Sequence, residues 1–285
     1  MSLVPNRAQD APEDQAAAAR NLVRRCGMSE ADVDRIIDYQ RTEELSFTEA
    51  ALRLGLASQH EVDLALEKPT EQQPEQKGRA GNELLSVREP FGRHAEAIRS
   101  LRTELLLRRS SQAVHGLAIV SPSPADGRSR IAAELAIAFA QLEEPTLLLD
   151  ADFRNPAQHQ LFGLPGDVGL AQALENDSTP RIFGVEDLPQ LNVLTAGEVP
   201  GNPIELLTRP VFAETLKGFA RRYAHVIVDT PAAEKYSDAL AVARQTGQVL
   251  VTVRKDRSSL GALQELQRRL ATTQAQILGT TLLSA

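Results

Sequence analysis

The sequence predicts an α/β protein in which a doubly wound, mostly parallel sheet is preceded by a small all-helical domain. Short apolar runs (GLAIVS, TLLLD, NVLTA, HVIVD, QVLVTV and ILGTTLL) recur from residue 116 onward, with helical patterns between most of them. The runs do not alternate with polar residues, as expected of strands buried on both faces, the normal state of parallel strands. Before them, residues 16–67 show only helical periodicity.

The chain has 285 residues, enough for one large and one small domain. Residues 1–15 are polar and proline-containing and read as a disordered tail. In the helical part, SEADVDRIIDYQ opens with a serine cap and sets Val33, Ile36 and Ile37 on one face. SQHEVDLALEK opens the same way, with Val62 and Leu66 on its stripe. GMSEADVD and GLASQHEVD resemble each other, which predicts a two-fold repeat of roughly 28 residues per unit. Residues 68–85 have linker composition: KPTEQQPEQKGRAGN holds no apolar residue larger than alanine. The α/β domain is placed at 86–285, opening on an amphipathic helix in HAEAIRSLRTELLLRR.

Composition excludes several classes. A net charge of −7 offers no global field for nucleic acid or anionic lipid. One cysteine, Cys26, permits neither an internal disulfide nor a cysteine-rich metal site. No apolar run approaches the roughly 20 residues of a membrane span, and the N-terminus has no apolar signal core. A cytoplasmic location without direct membrane insertion is expected.

Ligands of such sheets bind at the carboxyl ends of the strands, and three polar clusters fall there. The first is SPSPADGRSRIAAELAIAFAQ, a loop between the strand LAIVS and a helix. Free amides and the positive dipole end favour phosphate at a helix start. Pro124, Ala125, Asp126, Gly127, Arg128, Ser129 and Arg130 are the candidate nucleotide-binding residues. Arg128 stands where a phosphate loop usually has lysine, and Ser129 keeps the hydroxyl that ligates magnesium. Ala125 stands where a second glycine would relieve strain; in a left-handed conformation alanine costs about 1–2 kcal/mol. The second cluster is Asp150 and Asp152, closing the strand TLLLD with both carboxylates on one side. The third is Asp229, ending HVIVD before Thr230 and Pro231. An aspartate there can hold magnesium directly or through water.

These residues resemble the bacterial tyrosine kinases of polysaccharide export, within the deviant P-loop ATPases. The resemblance rests on Asp150, Asp152 and Arg154 in DADFRNP, on Asp229-Thr230-Pro231, on GNPIELL, and on Glu96, Arg99 and Arg102 in EAIRSLRTEL. With the helical domain and FTEAALRLGLAS included, nearly the whole chain is similar to EpsG-type chain-length-determinant tyrosine autokinases of exopolysaccharide clusters. The resemblance implies a P-loop fold, ATP and Mg2+ as cofactors, and phosphoryl transfer regulating exopolysaccharide chain length and export. It implies Asp150, Asp152 and Arg128 as catalytic residues, with Asp150 the base, and Ser129, Asp152 and Asp229 as magnesium ligands. It implies that Glu96, Arg99 and Arg102 form an oligomer contact in a ring. The implied partner is the cytoplasmic segment of a membrane polysaccharide copolymerase, which would hold the protein peripheral to the inner membrane. The sequence ends GTTLLSA and its tyrosines are Tyr39, Tyr223 and Tyr236, so autophosphorylation of a tyrosine-rich tail, as in many such kinases, is not expected. Tyr39 and Tyr223 read as packing residues and Tyr236 as a loop residue. With Arg128 and Ala125 in the loop, a catalytically weak or inactive P-loop scaffold is the alternative.

Overall fold

A computed structural model of the chain describes residues 19, 22–23, 28–43, 45–57, 62, 76–108 and 115–284. The chain forms two compact units that divide between residues 72 and 73.

The first unit contains α1 (Glu30–Glu43) and α2 (Phe47–Arg53). Both helices begin at serine caps. The Asp32 amide donates to Ser29 Oγ at 3.2 Å, and the Glu49 amide donates to Ser46 Oγ at 3.3 Å while Glu49 accepts from the Ser46 amide. Ile36, Ala50 and Ala51 are buried together with Leu22 and Val62. Val33 and Ile37 share the Ile36 side of α1 and are half-buried. The expected tail 1–15 lies outside the described residues, as does most of the second repeat, including Leu66.

The second unit is an eight-stranded sheet. Its strands are β1 (Lys77–Gly78), β2 (Gly116–Val120), β3 (Thr146–Asp150), β4 (Phe183–Val185), β5 (Leu188–Leu194), β6 (His225–Asp229), β7 (Gly247–Arg254) and β8 (Gln276–Leu283). The order across the sheet is β1-β4-β5-β3-β6-β2-β7-β8, and only β4 and β5 pair antiparallel. The unit's helices are α3 (Leu85–Arg88), α4 (Arg93–Arg108), α5 (Arg128–Ala140), α6 (Gln158–Leu161), α7 (Leu170–Asn176), α8 (Pro203–Thr208), α9 (Pro210–Arg222), α10 (Asp238–Thr246) and α11 (Leu260–Leu270).

The continuous apolar runs are explained by two cores, one per face. Ala118, Val120, Leu147, Leu149, Val226 and Val228 face one; Leu117, Ile119, Leu148 and Ile227 face the other. Period-two alternation is therefore present, but both sets are apolar. Helix α5 is buried almost all round, so its face toward the second core is continuous with small residues such as Ala132, Ala133 and Ala136.

All six strands expected from the sequence form. The structure adds β1 and β4, two and three residues long; β1 carries no apolar run to announce it, and β4 lies in the short run IFGV, residues 182–185. The linker assignment 68–85 is corrected at its C-terminal end. Lys77 and Gly78 pair with Gly184 and Val185 at the sheet edge, and Leu84 is fully buried in the second core. Residues 68–75 lie outside the described ones. Backbone ladder bonds hold β1 there although its side chains offer little burial.

The buried carboxylate of Glu134 on α5 accepts from the amides of Leu85 and Ser86, at 2.8 and 2.9 Å, and so caps α3. Glu134→Ala leaves two amides without an acceptor and is expected to lower stability in urea denaturation by about 3 kcal/mol. Glu134→Gln, which keeps one acceptor, should lose less.

Candidate active site

Strand β2 ends at Val120, and the loop that follows folds on itself before α5 begins. Ser121 Oγ donates to the Ser123 carbonyl at 2.8 Å, and Asp126 Oδ2 accepts from the Ser123 amide at 3.0 Å. Ala125 has φ 62° and Gly127, the residue before α5, has φ 83°. The strain expected at Ala125 is therefore present. The positive φ of Gly127 favours glycine, and a Cβ there would also meet the terminal methyl of Leu283 at the end of β8 and displace it. The amides of the first turn of α5 have no helical acceptor, so the loop retains a phosphate cradle.

The structure assigns several loop side chains differently from the sequence expectation. Asp126 is fully buried, and its other oxygen accepts from Ser258 Oγ at 2.8 Å, so its carboxylate braces the loop and would repel phosphate. Pro124 has no amide to donate. The Arg130 guanidinium lies 3.9 Å from Glu134, one turn along the helix. Of these three, only Asp126 and Arg130 can contribute to a cradle, and only through their backbones.

Arg128 is buried and folded back into the protein. Its Nε donates to the Thr230 carbonyl at 2.6 Å, Nη1 to Ser121 Oγ at 2.8 Å and the Ser123 carbonyl at 3.4 Å, and Nη2 to Asp152 Oδ2 at 3.1 Å. A guanidinium has five N–H groups, so one remains for a ligand. Arg128 works chiefly as a staple joining the loop, the end of β6 and the Asp152 turn. A lysine could not make this set of contacts, because it has one point of charge and no planar fork.

The three carboxylates converge as expected. β3 and β6 are parallel neighbours with Asp150 opposite Asp229, and Asp229 is also opposite Ile119 of β2. Asp150 Oδ1 accepts from the Asp152 amide at 3.0 Å; its Oδ2 accepts from the amides of Ala157 and Gln158 at 3.1 and 3.0 Å. Asp152 Oδ1 accepts from the amides of Arg154 and Asn155, at 3.2 and 2.9 Å. Asp229 Oδ2 accepts from Gln158 Nε2 at 2.8 Å, whereas Asp229 Oδ1 is buried with no partner. Among the six oxygens, Asp229 Oδ1 is the one left without a hydrogen-bond partner. Asp150 is thus an anchor and not an accessible base: it is fully buried, with amides on both oxygens. Asp152 is engaged by Arg128, so a metal ligated directly by it would compete with that guanidinium for the same carboxylate.

Burial dominates the electrostatics. It pushes the Asp150 pKa well above the usual carboxylate value, and the neighbouring charge of Asp229 raises it further. Burial also raises Asp152, against the pull of its amide donors and Arg128. Asp229 is raised from 3.8 to about 6, by burial first, with Arg128, Gln158 and the Ser129 hydroxyl drawing it down. Ser129 and the unpartnered Asp229 oxygen fit a magnesium ion, which keeps several waters and needs one or two protein oxygens beside the substrate phosphates. Among the described residues no three acidic, histidine or cysteine side chains group into an all-protein cation cage.

Gln158 is the member of this cluster that the sequence did not reveal. It is fully buried, and its Nε2 donates to the Ser129 carbonyl at 3.0 Å as well as to Asp229, so it ties the first turn of α5 to β6. In NPAQHQ it is one polar residue among several, and no spacing marks it. Arg154 forks onto buried Asp238, with Nε and Nη2 at 3.2 and 3.1 Å, and its guanidinium lies 3.4 Å from the centre of the Tyr236 ring. The expected oligomer residues are on α4. Arg99 forks onto Glu96 at 2.7 Å, while Arg102 donates to the Ala138 carbonyl at 2.6 Å and is therefore used inside the chain.

A phosphate loop between parallel strands, with an aspartate at the tip of the neighbouring strand, defines a P-loop nucleotide-binding protein. The septum-site-determining protein MinD of Pyrococcus horikoshii, solved with Mg-ADP, has the same fold (TM-score 0.50, 20% identity over 58% of this chain and 68% of that one). No protein-family model matches the chain. The kinase domain of the Escherichia coli tyrosine kinase ETK superposes with a TM-score of 0.68 and 30% identity, covering 77% of this chain and 86% of that domain. The Bacillus subtilis tyrosine-protein kinase YwqD is 29% identical over 197 residues, 69% of this chain and 83% of its own. The Ralstonia nicotianae protein named as the tyrosine kinase EpsB is 33% identical over 200 residues, 70% of this chain. The chain spans 27% of that relative's length. The chain belongs to the bacterial tyrosine-protein kinase family.

Two outcomes test the site's physics. Ala125→Gly is expected to raise stability in urea denaturation by about 1 kcal/mol, by relieving the left-handed alanine. In metal-free buffer, folded Asp229 keeps a proton that the unfolded chain has released, between about pH 4 and its raised pKa of about 6. The stability contributed by this group therefore falls as pH rises through that window and stays low above it. Asp229→Asn lacks the fall, so its Tm advantage over wild type should grow from pH 4 to about 6 and then level off.

Proposed function

We propose that the chain binds Mg-ATP and transfers the γ-phosphoryl group to tyrosine hydroxyls, as a regulator of exopolysaccharide chain length and export of the EpsG type. The observation that carries this reading is the buried, unpartnered Asp229 Oδ1 on the carboxylate beside Ser129, at the start of a helix, where first-turn amides have no helical acceptor. An orphaned buried acceptor costs about 1–3 kcal/mol, and a cation or its waters would satisfy it. The names of the kinase relatives support the reaction class.

The chain's own residues divide the work. The loop and the first turn of α5 hold phosphate oxygens through backbone N–H groups. The remaining N–H of Arg128 adds one charged donor. Ser129 and Asp229 would hold Mg2+, which neutralises charge between the β- and γ-phosphates when bound. Gln158 orients Asp229 and the Ser129 turn. Asp150 and Asp152 fix the loop that carries Gln158 and Arg154 by accepting its amides. Phosphoryl transfer passes through a loose transition state, so positioning and charge matter more than a strong base.

The proposed setting is the cytoplasmic side of the inner membrane, on the cytoplasmic segment of a membrane polysaccharide copolymerase. Among the described residues no helix is long and apolar enough to cross a membrane. Glu96, 68% exposed, and Arg99 are the candidates for an oligomer contact. A second reading, the inactive scaffold, draws on one observation: four of the five Arg128 N–H groups already have protein acceptors.

Calorimetric titration with ATP and Mg2+ separates the two readings. The wild-type chain is expected to bind, and Ser129→Ala and Asp229→Asn to lose at least about tenfold in affinity, 1.4 kcal/mol. Absence of binding at millimolar ATP, with the fold intact, would establish the scaffold.

A further inference from the structure

We propose that Tyr236 is the phosphoryl acceptor of this chain, a modification site on the same edge of the sheet as the nucleotide loop. The proposal rests on the kinase reading above and goes beyond it by naming the hydroxyl that is modified.

The chain has three tyrosines. Tyr223 is 8% exposed, packs in the first core, and its hydroxyl accepts from the Asn192 side-chain amide at 3.0 Å. Tyr39 is half-buried against the core of the helical unit. Tyr236 is 44% exposed, and its hydroxyl has no hydrogen-bond partner among the described residues. It lies in the connection between β6 and α10, which begins one residue after Asp229 with Thr230, the residue whose carbonyl receives Arg128.

The surroundings hold the residue in place and suit a phosphate. The ring rests on the Arg154 guanidinium, which is itself fixed by its fork to buried Asp238. The Tyr236 carbonyl accepts from Arg269 Nη2 at 3.3 Å. Two guanidinium groups therefore flank the residue, one at the ring and one at the backbone. A cation against an aromatic face holds the ring without using its hydroxyl. The arrangement is local to the site: the Arg154 amide donates to Asp152 Oδ1, and Asp152 pairs with Arg128.

In the reaction, Tyr236 Oη forms a bond to the γ-phosphorus of ATP. The bond from that phosphorus to the β–γ bridging oxygen breaks, ADP departs with the electron pair, and the phenolic proton passes to water. The phosphotyrosine carries a charge of about −1.5 to −2. It would compete with Asp238 for Arg154, because a guanidinium forks onto phosphate as readily as onto carboxylate. Modification at Tyr236 would thus loosen the anchor of the residue two positions after Asp152.

The test is incubation of the purified full chain with Mg-ATP, followed by fragment mass mapping and by radiolabel incorporation from γ-labelled ATP. One added phosphate is expected on the fragment containing Tyr236. Tyr236→Phe is expected to lower incorporation at least tenfold while its calorimetric ATP affinity stays within twofold of wild type. Phosphate on Tyr39 or Tyr223 with Tyr236 unmodified would overturn the assignment and leave the kinase reading standing. ATP binding with no incorporation on any tyrosine would also overturn it. Absence of ATP binding would sink the kinase reading itself.

Discussion

The structure depends on a constraint at the centre of the sheet: parallel pairing of β3 with β6 places Asp150 beside Asp229, two carboxylates with no exposure to water. Burial disfavours ionisation of both and raises their pKa values, with the Asp229 charge raising Asp150 further. The surrounding architecture makes the pair tolerable. Three backbone amides converge on Asp150, Gln158 donates to Asp229, and Arg128 brings positive charge across from α5 to Asp152. Buried charges are retained at a cost to stability, and the proposed binding of a cation and a polyphosphate would give a reason for retaining them.

Arg128 makes the loop and the acidic cluster one object. Its guanidinium reaches the loop at Ser121 and Ser123, the end of β6 at Thr230, and the DADFR turn at Asp152. The loop is also braced by Asp126 and Ser258, and by Leu283 packing against Gly127. Under the proposed function, binding energy for a ligand here would come from backbone amides held in place in advance, so little ordering would remain at the moment of binding.

Much of the fold was legible in the sequence. Apolar runs such as TLLLD and HVIVD announce strands buried on both faces, since they are too short for a buried helix and are bounded by polar or turn residues. The serine caps at Ser29 and Ser46 are local chemistry, readable from the residues nearby. β1 was not legible: it is held by ladder bonds to β4 across a long separation in sequence, and backbone hydrogen bonding carries no residue signature. The linker boundary was misplaced for that reason.

The sequence alone determined which residue types stand at the strand tips and at the start of α5: Asp150, Asp152, Asp229, Ser129 and Arg128. It could do so because the strand–loop–helix pattern is local and its periodicity is written in the side chains. Tertiary structure decided what each of them does. Whether a carboxylate oxygen is free or saturated depends on amides and side chains from distant segments, and those contacts left Asp229 Oδ1 free, turned Asp150 into an anchor and made Arg128 a staple. The same contacts recruited Gln158, which no spacing marks, because a hydrogen-bond network is a property of three-dimensional neighbours and not of order along the chain.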